Sequence, residues 1–560
     1  MSDAAPPKTG WLFGPVSDVF LGCGLGSILV IGVLGFTGPA LSQLIPASLL
    51  ILGLTVPHYG ATLLRVYEDK GDRLHYSFFS IWCSIAIALA LVAGLQSVVI
   101  GSLILTLYLT WSPWHYSGQN YGIFLMLLVR RGVAVDPTTK RLIYASFVLS
   151  FLMTFLAIHG VDPSATYAPV TYQGTVFTSM SLGIPQPIAA AGLALAGIGY
   201  LGVVVAMIVS LLRTASLGAI APSLVLAATQ SLWFALPVAV RYWGPANPSE
   251  VFAASYTAYG FVWIAAFHSA QYLWITTYYG AASGPATARL RFVGKAAVAG
   301  YAVWTLPALI FGPSLLGSLP HENGLALLAA ATVNLHHFVL DGAIWKLRDG
   351  RVARLLLTPR PTAIEKPASD DPATLVGGEA PWLRRVIYSV GVLCLLYGGV
   401  TFWEEEVGFK RALRERDMAR AGLAVDRLAM LGRKSASRHR ILGEAYANRG
   451  APEVAIAEFQ RSLEVYRSID TLASLAKIRA HTQQWQLALD RYDELLEMEP
   501  HHAVALYRSG LALMKLTRPG EAIPRLELAA NIAPEIREIR SALTRARVQA
   551  ETKAGSHDDS

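Results

Sequence analysis

Charge is scarce in this chain of 560 residues: Asp, Glu, Lys and Arg make up 15% of it, where a soluble domain carries about a quarter. Cysteine is scarcer. Cys23, Cys83 and Cys394 all sit inside apolar runs, and none belongs to a CxxC spacing. That excludes a disulfide framework and a zinc ribbon. A cleavable leader is not expected either, because Met1 to Gly10 is short and polar, with one lysine and no small-residue cleavage pattern after it. The first apolar stretch should therefore be retained as a span. The net charge of +8 comes largely from Lys and Arg at the ends of apolar runs. This is the pattern of a membrane protein, not of a nucleic-acid binder.

Apolar residues make up 53% of the chain, and they are unevenly placed. Before residue 404 there are about eleven segments long enough to cross a bilayer: 15–36, 41–65, 76–97, 98–129, 142–160, 187–212, 219–240, 251–279, 295–317, 323–346 and 383–403. Pro113 is a possible break in the fourth. Basic stretches follow the second, fourth, eighth and tenth: Arg65–Arg73, Arg130–Arg141, Arg289–Lys295 and Lys346–Arg360. An excess of Lys and Arg marks the cytoplasmic side, so the N-terminus is expected inside a bacterial-type inner membrane. The 159–186 segment, poor in Lys and Arg, then falls outside. The division reads as a polytopic membrane domain (1–360), a Pro/Ala/Asp linker (361–381), a final span (382–404) and a periplasmic domain (405–560).

The last part repeats. Gly443, Ala476 and Gly510 recur at 33 and 34 residues, as do Ala455, Ala488 and Ala522, with Phe459, Tyr492 and Leu526 four residues after each alanine. Small residues at such places let paired helices approach, and the large one fills the gap to the next pair. Leu442-Gly443-x-x-Tyr446 with Ala455 and Phe459 resembles the tetratricopeptide repeat over roughly 436–534. That resemblance implies an α-solenoid whose concave face takes a peptide or protein partner. Residues 408–432 are expected to form an extra helical pair and 535–552 a cap. The fold class is thus all-α: a membrane bundle followed by a repeat solenoid.

The chemistry gathers on histidine. Asn334-Leu335-His336-His337-Phe338-Val339-Leu340-Asp341 lies inside the tenth apolar segment. Ionisable groups at that depth cost about 2.5 kcal/mol or more, so they mark functional sites. On a helix His337 and Asp341 share a face, while His336 points about 100° away. His58, His115 and His268 sit in three other segments at comparable depth, so four helices could bring imidazoles into one layer. Imidazole suits Zn, Fe, Cu and Ni. The expected ligands are His58, His115, His268, His336 and His337, with Asp341 a ligand or orienter carrying the catalytic carboxylate. Gln119, four residues after His115, and Gln271, three after His268, are expected to accept imidazole N–H bonds and support the cofactor. Tyr116 and Tyr272 lie deep enough to line a cavity. His75 reads as interfacial, His159 and His321 lie toward the outer ends, and the five tail histidines read as solvated.

Histidine set and depth together resemble, over 58–341, the membrane-bound non-haem oxygenases: desaturases, hydroxylases and the β-carotene-cleaving enzymes. The resemblance implies histidine-held iron, a cytoplasm-facing site and a lipidic substrate. The HxxxH and HxxHH boxes of desaturases are missing, with only His336-His337 in their place, which leaves zinc or copper open. The expectation is a metal-dependent membrane oxidoreductase acting on a lipid or other hydrophobic molecule, with membrane lipids and a protein on the repeats as partners. Haem-based electron transfer, a lipid-linked sugar transferase, and a transporter or scaffold are the competing classes. The transferase is disfavoured because the first outer loop, about Phe36 to Ala40, holds no acidic residue.

Overall fold

The structure is a computed structural model describing residues 10–37, 45–68, 70–160, 175–243, 254–281, 286–313, 315–345 and 381–558. Among these residues there is no strand, only one isolated bridge between Gly160 and Ile184. The linker expected at 361–381 lies outside them except for Pro381. So do the basic stretch Lys346–Arg360 and Gly38 to Ala40 of the first outer loop. The chain forms two compact units. One is Met1–Gly317 with Gly324–Phe402, and the other is Trp403–Ser560 with the hexapeptide Ser318–Asn323.

Helices occupy all eleven apolar segments. α1 (Pro15–Gly22) and α2 (Leu25–Thr37) meet at 59° across Gly24, whose φ of 77° only glycine adopts freely. There follow α3 (Ala47–Tyr67), α4 (Phe78–Gln96), α5 (Val98–Arg130), α6 (Pro137–His159), α7 (Gln186–Thr214), α8 (Leu217–Trp243), α9 (Ala254–Ala281), α10 (Ala286–Ile310), α11 (Leu325–Ile344) and α12 (Pro381–Trp403). α5 runs unbroken through Pro113, so the expected break does not occur. The basic run Arg289–Lys295 is the opening of α10 and not a loop.

Eight of these helices are long and apolar enough to cross a membrane, or nine if the bent α1–α2 pair counts as one. The two left out are α5 and α9, the helices that bear His115 and His268. Their polar side chains (Ser112, His115, Ser117, Gln119 and Asn120 on α5, for example) dilute the apolar character. α11 is the hub, since 72% of its most apolar window is buried, against 17% for α4. α3 and α10 touch backbone to backbone. A Cβ on Gly60 would come within 1.8 Å of the Ala296 carbonyl, and one on Gly300 within 2.0 Å of the Val56 carbonyl. Only glycine, without a Cβ, lets two helix backbones approach this closely.

The second unit is a repeat of helical pairs. α13 (Met418–Met430) pairs with the end of the helix that continues from α12 through a π-helical stretch, Glu404–Arg411. Then come α14–α15 (Ala436–Ala447, Pro452–Val465), α16–α17 (Ile469–His481, Trp485–Met498), α18–α19 (Ala503–Lys515, Pro519–Ile532) and the closing α20 (Arg537–Asp558). Gly443 and Gly510 are small because a Cβ would strike Phe459 at 2.8 Å and Leu526 at 2.7 Å within the same pair. Phe459 also packs on Leu475 and Ile478 of the next pair.

Candidate metal centre

Four helices deliver histidines to one buried point. On α3 a π-helical stretch, Ile51–Thr55, precedes Pro57, and π stretches inside α-helices often mark functional sites. It leaves the Thr55 carbonyl 2.7 Å from His58 Nδ1. A carbonyl can only accept, so His58 carries its proton on Nδ1 and presents a bare lone pair at Nε2. That atom faces Nε2 of His337 on α11 at 3.0 Å.

Thr62, one turn after His58, settles the second ring. Thr62 Oγ1 lies 2.8 Å from His337 Nδ1, 2.7 Å from the Tyr272 hydroxyl and 3.0 Å from Asp341 Oδ1. Tyr272 donates to the same carboxylate oxygen at 2.7 Å and accepts from Trp345 Nε1 at 3.0 Å. With both hydroxyls donating to Asp341, Thr62 accepts from His337 Nδ1. His337 Nε2 is then also a bare lone pair. Two lone pairs aimed at each other repel unless a cation joins them. An ion about 2.1 Å from each nitrogen, the usual metal–imidazole distance, would subtend an angle of about 90° at this spacing.

His268 and His115 complete the layer. The ring of His268 lies 5.5 Å from that of His58 and 5.1 Å from that of His115, and the ring of His115 lies 4.9 Å from that of His337. His268 stacks on Tyr116 at 4.0 Å and His115 on Phe338 at 4.3 Å, contacts that orient the rings without using their nitrogens. Among the described residues, both nitrogens of buried His268, and Nε2 of His115, have no hydrogen-bond partner. Such orphaned atoms are expensive. Asp341 Oδ2 is 3.4 Å from His337 Nε2 and 3.9 Å from His115 Nε2. Two overlapping donor sets result, His58/His268/His337 and His115/His337/Asp341, each with its atoms within 4.8 Å of one another.

Three expected members stand elsewhere. His336 turns away, and its Nε2 bonds Ser84 Oγ on α4 at 2.8 Å. Gln119 and Gln271 accept from no imidazole. Gln119 donates to Gln271, which donates to the Gly22 carbonyl at 2.8 Å, so the amides tie α5 and α9 to α1. Thr62 was missed, although its place one turn beyond His58 puts it on the same face. His159 is held by Thr110 at 2.9 Å, outside the layer.

A cavity of about 310 Å³ adjoins the cluster, with His115 and Asp341 in its wall beside Trp111, Trp114, Phe338 and Trp345. In the repeat unit a separate groove of about 730 Å³ is lined by Glu444, Lys477, His481, Trp485 and Arg508 among others.

No family model matches the chain, and no curated protein does. A solved structure described as "Crystal structure of MamA" is similar over 27% of this chain and 97% of its own, at 18% identity and a TM-score of 0.22.

Proposed function

We propose that the chain is an integral membrane metal enzyme, an oxidoreductase acting on a hydrophobic molecule, with tetratricopeptide-like repeats that engage a protein partner. The observation that carries this reading is the convergence of His58 and His337 Nε2 at 3.0 Å beside an unpartnered His268 and the carboxylate of Asp341. The ligands are His58, His115, His268, His337 and Asp341, holding one ion fully or two sparsely. The mixed imidazole and carboxylate set suits iron first, with zinc and copper also compatible. A bound ion with open positions would admit dioxygen or water. The chain's own part is to hold the rings: Thr55 and Thr62 fix the tautomers of His58 and His337, and Tyr272 and Trp345 hold Asp341 in place. Such outer contacts orient ligands and tune the metal.

The membrane assignment, with about eleven spans, an inner cytoplasmic N-terminus and periplasmic repeats, rests on the apolar helices and the basic stretches. Haem is disfavoured as the cofactor, because no porphyrin plane fits between nitrogens 3.0 Å apart.

The test is elemental analysis and an ultraviolet–visible spectrum of detergent-purified wild type, His337→Ala and His336→Ala. Near-stoichiometric metal in wild type and His336→Ala, lost in His337→Ala and without a Soret band, is the expected result. A Soret band, or well-folded protein that stays metal-free after supplementation, overturns it.

A further inference from the structure

Most mid-helix glycines need a reason, since each costs about 1 kcal/mol relative to alanine. At Gly60 and Gly300 the reason is backbone contact. At Gly118 and Gly122 on α5, and Gly342 on α11, no atom of the described residues outside the helix's own nearby backbone lies within 4 Å of where a Cβ would be. All three line the cavity beside the histidine cluster. They recur at helical spacing on its two walls: Gly118 and Gly122 follow His115, and Gly342 sits between Phe338, Asp341 and Trp345. Gly118 and Gly342 are also exposed at the surface of the bundle. Lined by these exposed glycines, the cavity reaches the surface beside α5 and α11.

The shape and lining of this opening define an occupant. Along α5 the lining runs from Trp111 to Met126, about 22 Å at 1.5 Å per residue. A volume of about 310 Å³ spread along it leaves a passage about one hydrocarbon chain wide. Among the described residues no Lys or Arg lines it. The polar groups include Gln119 and, at the histidine cluster, His115, Tyr272 and Asp341. A slender, uncharged chain fits, whereas a charged headgroup would have to stay outside.

We infer that the cleft between α5 and α11 is a lateral binding site for a single unbranched hydrocarbon chain drawn from the lipid phase, with Gly118, Gly122 and Gly342 setting its width. This rests on the membrane reading above and names the substrate class of the same site. A side chain at any of the three positions fills the passage without touching the histidines. The glycines are therefore specificity-determining residues.

The experiment uses full-length protein in detergent and a diazirine-bearing palmitate, with labelled peptides mapped by mass spectrometry. Expected is saturable labelling on the cleft faces of α5 and α11, competed by ordinary palmitate. Gly118→Leu and Gly342→Leu should lower it at least tenfold and Gly122→Ala about threefold. Gly202→Leu, at an exposed glycine elsewhere with equally open space, should leave it unchanged. Size-exclusion profile and thermal midpoint are followed to show that each variant folds. Labelling that is unsaturable, spread over all outer helix faces, or unchanged in the folded Gly118 and Gly342 variants overturns the inference. Metal content, measured on the same samples, separates the two proposals. Saturable cleft labelling of metal-free wild type sinks the metal reading and keeps this one, and metal-loaded protein without cleft labelling does the reverse.

Discussion

Both units bury histidine, and they treat it in opposite ways. In the repeat unit His439 Nδ1 meets Glu458 at 2.7 Å, and Glu458 is also held by Arg461. In the apolar unit buried His268 has no hydrogen-bond partner at either nitrogen among the described residues, while His58 and His337 face each other Nε2 to Nε2 at 3.0 Å. A buried histidine with a carboxylate partner is a structural joint. Buried imidazole nitrogens without a partner are costly, and the proposed metal site rests on them. Histidine alone is therefore ambiguous, and its nitrogen accounting decides.

The sharpest way to break this contrast is to replace one histidine of each kind with phenylalanine. His268→Phe should lower metal affinity by more than 100-fold, yet leave the metal-free protein as stable as wild type or more so, since an unsatisfied group is removed. His439→Phe should leave metal content intact and destabilise the repeats by about 1–2 kcal/mol, since Glu458 Oε2 loses its partner while Oε1 keeps Arg461. Metal analysis beside chemical denaturation of the full-length protein reads both. If His268→Phe costs stability but no metal, the two histidines are the same kind after all.

Thr62→Val comes next. It keeps the shape but removes the bonds to His337 and Asp341, so affinity for the metal should fall 10- to 100-fold, measured by competition with a chelator. No loss would mean that the tautomer of His337 is not set by Thr62. In the repeat unit, burial first and then the guanidinium groups of Arg433 and Arg438 hold His321 well below the ordinary histidine range. It stays neutral and accepts from Arg433 at 3.1 Å. Below its unfolded value of about 6.5, the unfolded chain takes up a proton that the folded one refuses. Stability of that unit should therefore be flat above pH 6.5 and fall below it, by up to about 1.4 kcal/mol per pH unit. His321→Gln should flatten that slope in denaturation curves taken between pH 5 and 7.

The helices and the repeats are legible in the sequence because apolar runs and a 33- to 34-residue recurrence are local patterns. His58, His115, His268 and Asp341 are legible because ionisable groups are conspicuous in apolar surroundings. The outward turn of His336 is also implied by the 100° step from His337, although residue type alone grouped the two. Thr62 was hidden because a threonine in an apolar helix is ordinary, and its role exists only through residues 210 to 279 positions away. Gln119 and Gln271 were read through their spacing to histidine, whereas the packing of α5 against α9 pairs them with each other. The first repeat was obscured for another reason. The π-helical stretch Glu404–Arg411 adds one residue, so Gly408 stands 35 residues before Gly443 and out of phase. There a Cβ would meet Ala424 at 2.9 Å, at the position that Phe459 and Leu526 hold against Gly443 and Gly510 in the later pairs.

What restores the phase is backbone conformation. Arg416, Gly450, Gln483 and Thr517 stand at intervals of 34, 33 and 34 residues, and each joins the two helices of a pair with a left-handed φ of 57° to 73°. Only Gly450 is suited to it. The left-handed conformation costs an L-residue about 1–2 kcal/mol, and a β-branched side chain is the worst choice. Thr517→Gly should therefore stabilise the repeat unit by about 1 kcal/mol after the greater chain entropy of glycine is counted. Gln483→Gly should give somewhat less. Gly450→Thr should cost a similar amount, since no atom lies near its Cβ position to add a clash. Thermal unfolding of the full-length protein, followed beside unchanged metal content, separates this effect from the site. Should Thr517→Gly destabilise instead, the turn would be held by contacts of the threonine side chain, and backbone strain would not be what sets its cost.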